Sequence, residues 1–458
     1  MIGKVLVANR GEIAVRVLRA CRELGLRTVA VYSEADRESM HVGMADEAVC
    51  IGPAQAKESY LRVDRLLAAA KLTGADAVHP GYGFLSENAG FALACREKGL
   101  VFIGPPPEAI AALGDKIEAK RLAEKAGVPV VPGALGDARA LARAAGKIGF
   151  PVMVKAAAGG GGKGLRMVRE ASALASEIEK AAGEAQAAFG DGTLYLEKFI
   201  ERPRHVEIQI CADLHGNVVA AVERDCTVQR RHQKLIEESP SPAVSPSLRR
   251  KLQEAAIRLA KSCGYSNLGT VEFLLDPEGG FYFMEVNARL QVEHPVTETV
   301  TGLDLVAEQI RLAAGERLSF DQARAGEIRS HSIEHRINAE DPAHGFAPRP
   351  GMIESLRLPG GPGVRVETHI YTGYTVPSHY DSLIAKLVVG APDRASALAR
   401  AHRALGEFCI EGIPTTIPFH RRVLEDARFR SGEIDTGYAG SLLEKDPAPG
   451  SRTLEVRA

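Results

Sequence analysis

The sequence predicts an α/β protein of about three domains, and two patterns lead to this prediction. Short apolar strands alternate with amphipathic helices over residues 1–110, which is typical of a doubly wound parallel sheet. Strands without intervening helices return from residue 205, and two of them form a hairpin, which is typical of an antiparallel sheet. At 458 residues the chain is too long for one ordinary hydrophobic core.

The first predicted domain, residues 1–110, is Rossmann-like. Its strands are KVLVAN, TVAVYS, DAVHP and LVFIGPP, and GEIAVRVLRACRELG is its first helix. Asn9, Arg10 and Gly11 follow the first strand in place of the G-x-G-x-x-G loop that binds dinucleotides. We therefore expect no dinucleotide site in this domain.

A middle domain is predicted over residues 111–330, beginning with a helix at about 108–127 and containing a small αβ lid lobe at about 129–202. In this lobe the segment VKAAAGGGGKG (154–164) lies between two short strands. Four successive glycines let backbone amides line a polyphosphate, although such a run is equally typical of a surface linker. The spacing is not that of a Walker loop, so the interpretation depends on partner residues elsewhere.

A hairpin within the middle domain carries candidate metal ligands. The strands GTVEFLLD (269–276) and FYFMEVNA (281–288) flank a turn that we centre between Glu278 and Gly279, which sets Glu272 opposite Glu285. Asn287 shares a face with Glu285, because side chains alternate along a strand. Facing carboxylates repel unless a cation lies between them, and oxygen ligands suit Mg²⁺. Two solvated glutamates on an exposed face are the alternative.

The third predicted domain, residues 331–443, is mixed α+β, and residues 444–458 are predicted to be a disordered tail. The 57 basic and 58 acidic residues nearly balance, which argues against a nucleic-acid partner. No apolar run is long enough to span a membrane, and the seven cysteines lack C-x-x-C spacing, so we expect reduced cysteines in a cytoplasmic protein. His41, His215 and His420 are expected at the surface.

Five sequence blocks carry a resemblance to a known family. They are HPGYGFLSEN (79–88), HVEIQI (205–210), QRRHQK (229–234), MEVNARLQVEHPVTE (284–298) and INAEDP (337–342). Together with the glycine loop and the hairpin they resemble the ATP-grasp fold and, within it, the biotin carboxylases, over residues 2 to about 440. The resemblance implies an N-terminal doubly wound domain, an ATP-grasp domain with its lid lobe, and a mixed α+β C-terminal domain.

The resemblance also implies a role for individual residues. It implies ATP binding by Lys116, Lys155, Gly160, Gly161, Gly162, Lys163, Gly164, Glu197, Lys198, Ile200, His205 and His232. It implies that Glu272, Glu285 and Asn287 hold two Mg²⁺ ions, or Mn²⁺ in their place. It implies that Lys234, Arg289, Gln291, Val292 and Glu293 surround bicarbonate, that Tyr82 and Arg336 contact biotin, and that Lys234, Arg289, Glu293 and Arg336 are catalytic.

The chemistry of these side chains agrees with the resemblance. The guanidinium of Arg289 can hold the paired oxygens of bicarbonate, and Glu293, four residues further on, can take its proton. Attack of the resulting carbonate on the γ-phosphate of ATP gives carboxyphosphate. His335 replaces a residue that is often Cys in the family. Its imidazole, next to Arg336, either adds pH dependence or has a plain structural role.

Partners and alternatives complete the prediction. None of the methionines adjoins a lysine, so the A-M-K-M biotinylation sequence is absent and we expect biotin on a separate biotin carboxyl carrier protein. Carboxyltransferase subunits and a homodimer are also expected, while the final acceptor, such as acetyl-CoA, propionyl-CoA or pyruvate, is left open. The alternatives are an ATP-grasp ligase that joins a carboxylate to an amine and a nucleotide-binding subunit without activity.

Overall fold

The computed structural model describes residues 2–156, 166–189 and 193–445. Its contacts divide the chain into two compact units. The first unit comprises Met1–Val128, Arg204–Phe273 and Glu285–Ala458, and the second comprises Pro129–Pro203 and Leu274–Met284. None of the helices in the described ranges is long and apolar enough to cross a membrane.

The N-terminal part of the first unit contains a parallel sheet. Its elements are β1 (Lys4–Val7), α1 (Gly11–Glu23), β2 (Arg27–Ser33), α2 (Met40–Met44), β3 (Glu47–Gly52), α3 (Val63–Thr73), β4 (Ala77–His79), α4 (Ala89–Glu97) and β5 (Val101–Phe102). The strand order β3-β2-β1-β4-β5, with every pairing parallel, confirms the doubly wound prediction. Asn9 follows β1 and donates from Nδ2 to the backbone carbonyls of Pro80 and Tyr82, each at 2.7 Å. It thereby fixes the segment after β4.

The helix predicted over about 108–127 is two helices, α5 (Pro107–Gly114) and α6 (Lys116–Lys125). Asp115 lies between them and is the N-cap of α6, because its carboxylate accepts hydrogen bonds from the backbone amides of Ile117 and Glu118, each at 2.9 Å. The cap ends the first helix and sets Lys116 at the first position of the second.

The second unit is built around a small antiparallel sheet. Its elements are β6 (Gly133–Gly136), α7 (Ala138–Ile148), β7 (Val152–Ala156), β8 (Arg166–Val168), α8 (Ala171–Phe189) and β9 (Leu194–Lys198). The strand order is β6-β9-β7-β8. Leu141, Val152, Ile178 and Leu196 are among the side chains of its buried core. This unit corresponds to the predicted lid lobe, with the tip of the predicted hairpin added to it.

The rest of the chain forms a large mixed region. Its elements are β10 (Arg204–Ala212), β11 (Val218–Arg230), β12 (Gln233–Ser239), α9 (Pro246–Ser262), β13 (Asn267–Leu275), β14 (Phe281–Asn287), α10 (His294–Thr301), α11 (Leu305–Ala313), α12 (Gln322–Ala325), β15 (His331–Asn338), β16 (Glu340–Asp341), β17 (Ala347–Pro348), β18 (Gly351–Met352), β19 (Ser355–Arg357), β20 (Val364–Thr368), β21 (Thr375–Val376), β22 (Leu383–Ala391), α13 (Arg394–Glu407), β23 (Cys409–Glu411), α14 (Ile417–Glu425), α15 (Ala427–Ser431) and α16 (Tyr438–Lys445). An eight-stranded sheet runs β14-β13-β10-β11-β12-β15-β22-β20. It continues across residue 330, where the sequence predicts a domain boundary.

The two faces of β15 carry different chemistry. Because side chains alternate, Glu334 and Arg336 lie on one face and His335 on the other. The strand register sets Glu334 opposite Glu237 of β12, and Arg336 opposite Lys386 of β22. One face of the sheet therefore carries a group of charged side chains, while the other packs into the hydrophobic core of the C-terminal region.

Three surface or tail predictions need correction. His41 and His420 are fully buried, and their Nε2 atoms lie 3.2 Å from the carbonyl of Val31 and 2.6 Å from that of Arg336; His215 is exposed as expected. A lone histidine gives no pattern from which burial can be inferred. Residues 444 and 445, predicted as tail, are helical, and residues 446–458 lie outside the described residues. The seven cysteines are free, and Cys21, Cys95, Cys211 and Cys226 are buried.

Candidate functional site

Lys234 lies at the centre of a buried cluster of charged side chains. Its Nζ lies 2.7 Å from Glu207 Oε2, 2.8 Å from Glu272 Oε1 and 2.7 Å from Glu293 Oε1. These carboxylates come from β10, from β13 and from the position just before α10. One ammonium group therefore joins three segments that are distant in sequence.

Glu293 is held between two cations. Lys234 contacts its Oε1, and Nη2 of Arg336 donates to its Oε2 at 2.9 Å. Burial disfavours the ionised form of Glu293, but Lys234 and Arg336 outweigh burial and hold the pKa of this carboxyl well below its usual range. Arg336 is itself anchored, since its Nε donates to Glu237 Oε1 at 2.6 Å. The carboxylate of Glu293 and the guanidinium of Arg336, predicted as catalytic, are thus in direct contact.

The guanidinium of Arg289 is oriented by three side chains and by the backbone carbonyl of Leu290, to which Nη1 donates at 3.2 Å. Nε donates to Glu87 Oε2 at 2.9 Å, Nη1 to Gln291 Oε1 at 2.8 Å and Nη2 to Asn287 Oδ1 at 2.7 Å. Glu87 also accepts from the backbone amide of Ala288 at 2.9 Å. Glu87 follows β4, so the segment HPGYGFLSEN helps to set the orientation of the predicted bicarbonate arginine.

The predicted metal ligands lie together. Asn287 Nδ2 donates to Glu272 Oε1 at 2.9 Å, and His205 Nε2 lies 2.9 Å from Glu272 Oε2. Burial and then the charge of Glu272 raise the pKa of Glu285, although Lys116 and Lys234 oppose this shift. Glu272 and Glu285 thus repel each other, and a divalent cation bound between them would remove this repulsion. A donor set of two carboxylates and an amide suits Mg²⁺.

The hairpin turn differs by one residue from the prediction. The backbone amide of Asp276 donates to the carbonyl of Gly280 at 2.9 Å, whereas the predicted register pairs Asp276 with Phe281. Gly279 has φ 86, the left-handed conformation that lets a tight turn incorporate an extra residue. Glycine at both 279 and 280 left the position of this bulge ambiguous in the sequence.

Within the second unit, two predicted nucleotide residues are in contact. Lys155 of β7 donates from Nζ to Glu197 of β9, and these strands are adjacent in the small sheet. The ammonium of Lys198 donates to the carbonyls of Gly149 at 3.2 Å and Phe150 at 2.9 Å, so it stabilises the lobe itself. Ile200 is half-buried just after β9. The predicted loop residues Gly160, Gly161, Gly162, Lys163 and Gly164 lie outside the described residues.

The remaining predicted residues lie in the first unit. Lys116 is exposed at the start of α6, and His232 is exposed in the turn between β11 and β12, where its φ is 66. His205 is buried beside Glu272. Tyr82 is half-buried, with its ring centre 5.8 Å from Nζ of Lys386. The backbone carbonyl of Val292 accepts a hydrogen bond from Lys386 at 2.9 Å.

Sequence reasoning missed several members of the cluster. Arg224 is fully buried and donates to Glu207 and, at 2.9 Å and 2.8 Å, to Gln209 and Thr297. Glu207 follows His205 by two positions, so the strand alternation in HVEIQI already indicates a shared face. Nothing in the sequence around Arg224 or Glu237 distinguishes them from solvated charges, because their burial depends on the strand order.

His335 gives no pH dependence near neutrality. It is fully buried, and its ring lies 5.1 Å from that of His420. Burial, with a smaller contribution from His420, holds its pKa well below the usual range, so the imidazole stays neutral. Of the two roles considered, the structural one fits its position on the core face of β15.

Glu237 should instead contribute to the pH dependence of stability near neutrality. Burial raises its pKa from 4.5 to about 7, against the opposing charge of Arg336. The folded state then retains a proton that the unfolded state releases, so this contribution to the free energy of unfolding is complete at low pH and is lost as the pH rises through about 7. We expect Glu237→Gln to flatten the decline in urea-unfolding free energy between pH of about 5 and 8. Parallel curves for the two proteins would contradict this prediction.

Comparisons with known proteins show the family of the chain. Three families match the chain: biotin carboxylase, N-terminal domain, over residues 1–110; carbamoyl-phosphate synthase L chain, ATP binding domain, over 115–320; and biotin carboxylase C-terminal domain over 334–440. The biotin carboxylase of Nostoc sp. is 55% identical over 442 residues, covering 96% of this chain and 99% of that protein. A pyruvate carboxylase subunit from Methanothermobacter thermautotrophicus is 53% identical over 96% of this chain and 89% of its own length.

Solved structures are similarly close. A biotin carboxylase from Campylobacter jejuni has a TM-score of 0.89 at 47% identity, covering 96% of this chain and 99% of that one. The biotin carboxylase domain of a thermophilic 2-oxoglutarate carboxylase, bound to bicarbonate, has a TM-score of 0.92 at 48% identity, covering 98% of each chain. The predicted fold class is confirmed, and the chain belongs to the biotin carboxylase family of ATP-dependent ligases.

Proposed function

We propose that this protein uses ATP and bicarbonate to carboxylate biotin carried by a separate protein, with carboxyphosphate as the intermediate. The observation that supports the proposal most strongly is the carboxylate of Glu293, buried between the cations of Lys234 and Arg336. A carboxylate bridged by two cations occupies the kind of site in which a second small anion can share the same positive charge.

ATP binding is assigned to the residues that the family resemblance marks. They are Lys116, Lys155, Gly160, Gly161, Gly162, Lys163, Gly164, Glu197, Lys198, Ile200, His205 and His232. The Lys155–Glu197 contact supports this assignment, because it holds a cation in place for a phosphate. The ammonium of Lys198 is already bonded within its lobe, so we assign the backbone of this segment to the adenine edge.

Glu272, Glu285 and Asn287 would hold Mg²⁺, as two ions, with Mn²⁺ able to replace it. When bound, the metal neutralises charge on the phosphoryl group being transferred. The amide of Asn287 can offer the metal only its Oδ1, the atom that accepts a hydrogen bond from Arg289 in this structure. A relative from Hydrogenobacter thermophilus, a 2-oxoglutarate carboxylase domain dimer, has been solved with MgADP and bicarbonate, which supports these cofactors.

Deprotonation of bicarbonate by Glu293 needs an explanation, because a carboxylate with a low pKa is a weak base. Bicarbonate held by Arg289, Gln291 and Val292 would take part of the positive charge of Lys234 away from Glu293. The pKa of Glu293 then rises towards its ordinary value, and proton transfer becomes easier once substrate is bound. Glu293 thus becomes a stronger base only in the presence of bicarbonate.

Arg336 and Tyr82 are assigned to biotin. The carrier is a biotin carboxyl carrier protein, and carboxyltransferase subunits take the carboxyl group from it. Relatives that are subunits or domains of pyruvate carboxylases support this arrangement. A homodimer is the proposed assembly of the chain itself.

One assay separates the proposed function from its alternatives. Purified protein with MgATP should cleave ATP slowly, should do so faster with bicarbonate, and should form carboxybiotin when free biotin or a biotinylated carrier is added. Cleavage stimulated by an amine and a carboxylate instead of bicarbonate would favour a carboxylate–amine ligase. ATP binding without any cleavage would favour a non-catalytic subunit.

Replacing Glu285 with Gln should slow turnover more than it weakens nucleotide binding. The side chain is exposed and its pKa is already raised. We expect a fall in kcat of about tenfold to a hundredfold even at saturating Mg²⁺, because a metal site without this anionic ligand would no longer hold the ion where it neutralises the transferred phosphoryl group. The matched control is Glu278→Gln, which removes an exposed carboxylate at the turn of the same hairpin. Equal kcat values for both variants at saturating Mg²⁺ would remove Glu285 from the site.

A further inference from the structure

We propose that Lys386 is a positioning residue for the bicarbonate segment, residues 289–293. This inference rests on the proposed function, because it concerns the segment that we assign to bicarbonate. Lys386 lies on β22, more than ninety residues from that segment, and the sequence gives no sign of a link between them.

The contact that carries the inference is a hydrogen bond from a buried ammonium to a backbone carbonyl. The Lys386 side chain is fully buried, and its Nζ donates to the carbonyl of Val292 at 2.9 Å. That carbonyl belongs to the peptide unit that joins Val292 to Glu293. Because a peptide unit is planar, fixing its oxygen also fixes the direction in which the backbone of Glu293 leaves it. Lys386 therefore controls the placement of the proposed base.

The segment needs such an anchor because it lacks regular structure. It connects the end of β14 to the start of α10, and its backbone belongs to neither element. A charged donor forms a stronger hydrogen bond to a carbonyl than a neutral one does, particularly when both are removed from water. The register of the large sheet also sets Lys386 on β22 directly opposite Arg336 on β15. One pair of strands therefore carries both Lys386, which holds the backbone at Glu293, and Arg336, which we assign to biotin.

The other surroundings of Lys386 fit a fixed position. Its Nζ lies 3.1 Å from Oε2 of Glu12 in α1, an ion-pair contact whose geometry is not that of an aligned hydrogen bond. Glu334, on the same face of the sheet, is a second buried carboxyl group that Lys386 influences. A buried ion pair is a poor source of stability, because desolvation offsets the attraction. We infer that the role of Lys386 is to hold the carbonyl of Val292 in place rather than to stabilise the fold.

Lys386→Met tests the inference, since Met has a similar length but no donor. We expect KM for bicarbonate to rise about tenfold or more, with KM for MgATP changed by less than about twofold. The matched control is Lys4→Met. Like Lys386, Lys4 contacts a carboxylate (Glu47) and donates to a backbone carbonyl (Thr73), but it lies on β1, in the N-terminal sheet. An unchanged KM for bicarbonate in Lys386→Met would overturn the inference.

A double variant separates positioning from stability. Lys386→Met alone leaves Glu12 buried without its cation, which should lower the melting temperature. Adding Glu12→Gln removes the carboxylate that contacts Lys386 directly, so the melting temperature should recover in part while KM for bicarbonate stays raised. Glu12→Gln alone should leave KM for bicarbonate near the wild-type value. If bicarbonate affinity recovered in the double variant together with stability, the role of Lys386 would be purely structural.

Amide exchange gives a readout that does not depend on activity. Exchange across residues 289–293 should be faster in Lys386→Met and in the double variant than in the wild type, and unchanged in Lys4→Met. Equal exchange in all four proteins would overturn the positioning role even if the enzyme were active. A wild-type protein that shows no bicarbonate-stimulated ATP cleavage would instead contradict the proposed function, and the exchange experiment would still decide whether Lys386 holds the segment.

Discussion

Replacing Glu293 with Gln is expected to suppress bicarbonate-stimulated ATP cleavage and biotin carboxylation together, by on the order of a thousandfold. The amide cannot accept the proton of bicarbonate, so the carbonate nucleophile does not form and neither product appears. The neutral side chain also leaves Lys234 and Arg336 with one fewer counter-charge. Phosphate release and carboxybiotin should be measured in parallel at saturating MgATP, with binding of ATP measured separately to confirm that the nucleotide site is intact.

Glu407→Gln is the matched control for this variant. Glu407 lies at the end of α13 and forms an exposed ion pair with Arg403, at 2.6 Å, away from the buried cluster. It should have wild-type activity, because exposed ion pairs contribute little. If Glu293→Gln kept bicarbonate-stimulated cleavage within about threefold of wild type, a different residue would have to be the base.

Arg336→Gln is expected to uncouple the two activities. Carboxybiotin formation should fall by about a hundredfold or more, as for loss of one electrostatic stabiliser, while bicarbonate-dependent ATP cleavage is largely retained. Cleavage persists because Lys234 still holds Oε1 of Glu293, and because losing the second cation raises the pKa of Glu293 and makes it a better base. Carboxyphosphate then forms and decomposes without reaching biotin.

The companion control is Arg403→Gln, which removes an exposed arginine of the same region. Loss of Arg336 leaves Glu237 without its buried partner and should lower stability. A thermal melt is therefore needed to show that Arg336→Gln is still folded at the assay temperature. Equal loss of both activities in a folded protein would mean that Arg336 also serves the first half-reaction.

Much of the fold follows from local sequence patterns. The alternation of strand and helix over residues 1–110 predicts the doubly wound sheet, because each βαβ unit forces the next strand to be parallel. The break between two helices at Asp115 was missed because the apolar pattern continues on both sides of it. Asp115 followed three residues later by Glu118 is nevertheless a capping signal. The continuation of the large sheet across residue 330 depends on long-range pairing, which no local pattern encodes.

The site was predicted unevenly for the same reason. Residues 285–293 form one continuous motif, so their chemistry is visible in the sequence. Arg224 and Lys386 act through partners on other strands and helices, and they are read as ordinary charged residues until the strand order is known. The turn at Gly279 differs by one residue from the prediction, yet Glu272 contacts Asn287 and influences Glu285. The grouping of these three residues therefore does not depend on the predicted turn.

The most direct test of the account follows oxygen atoms from bicarbonate. If deprotonated bicarbonate attacks the γ-phosphorus, one of its oxygens becomes bonded to phosphorus, and cleavage of the C–O bond leaves that oxygen on the released phosphate. With bicarbonate labelled by heavy oxygen and ordinary water, the account predicts labelled phosphate, in the wild type and in Arg336→Gln alike. Phosphate that carries oxygen from water alone would contradict it, because bicarbonate would then stimulate simple ATP hydrolysis without becoming the nucleophile.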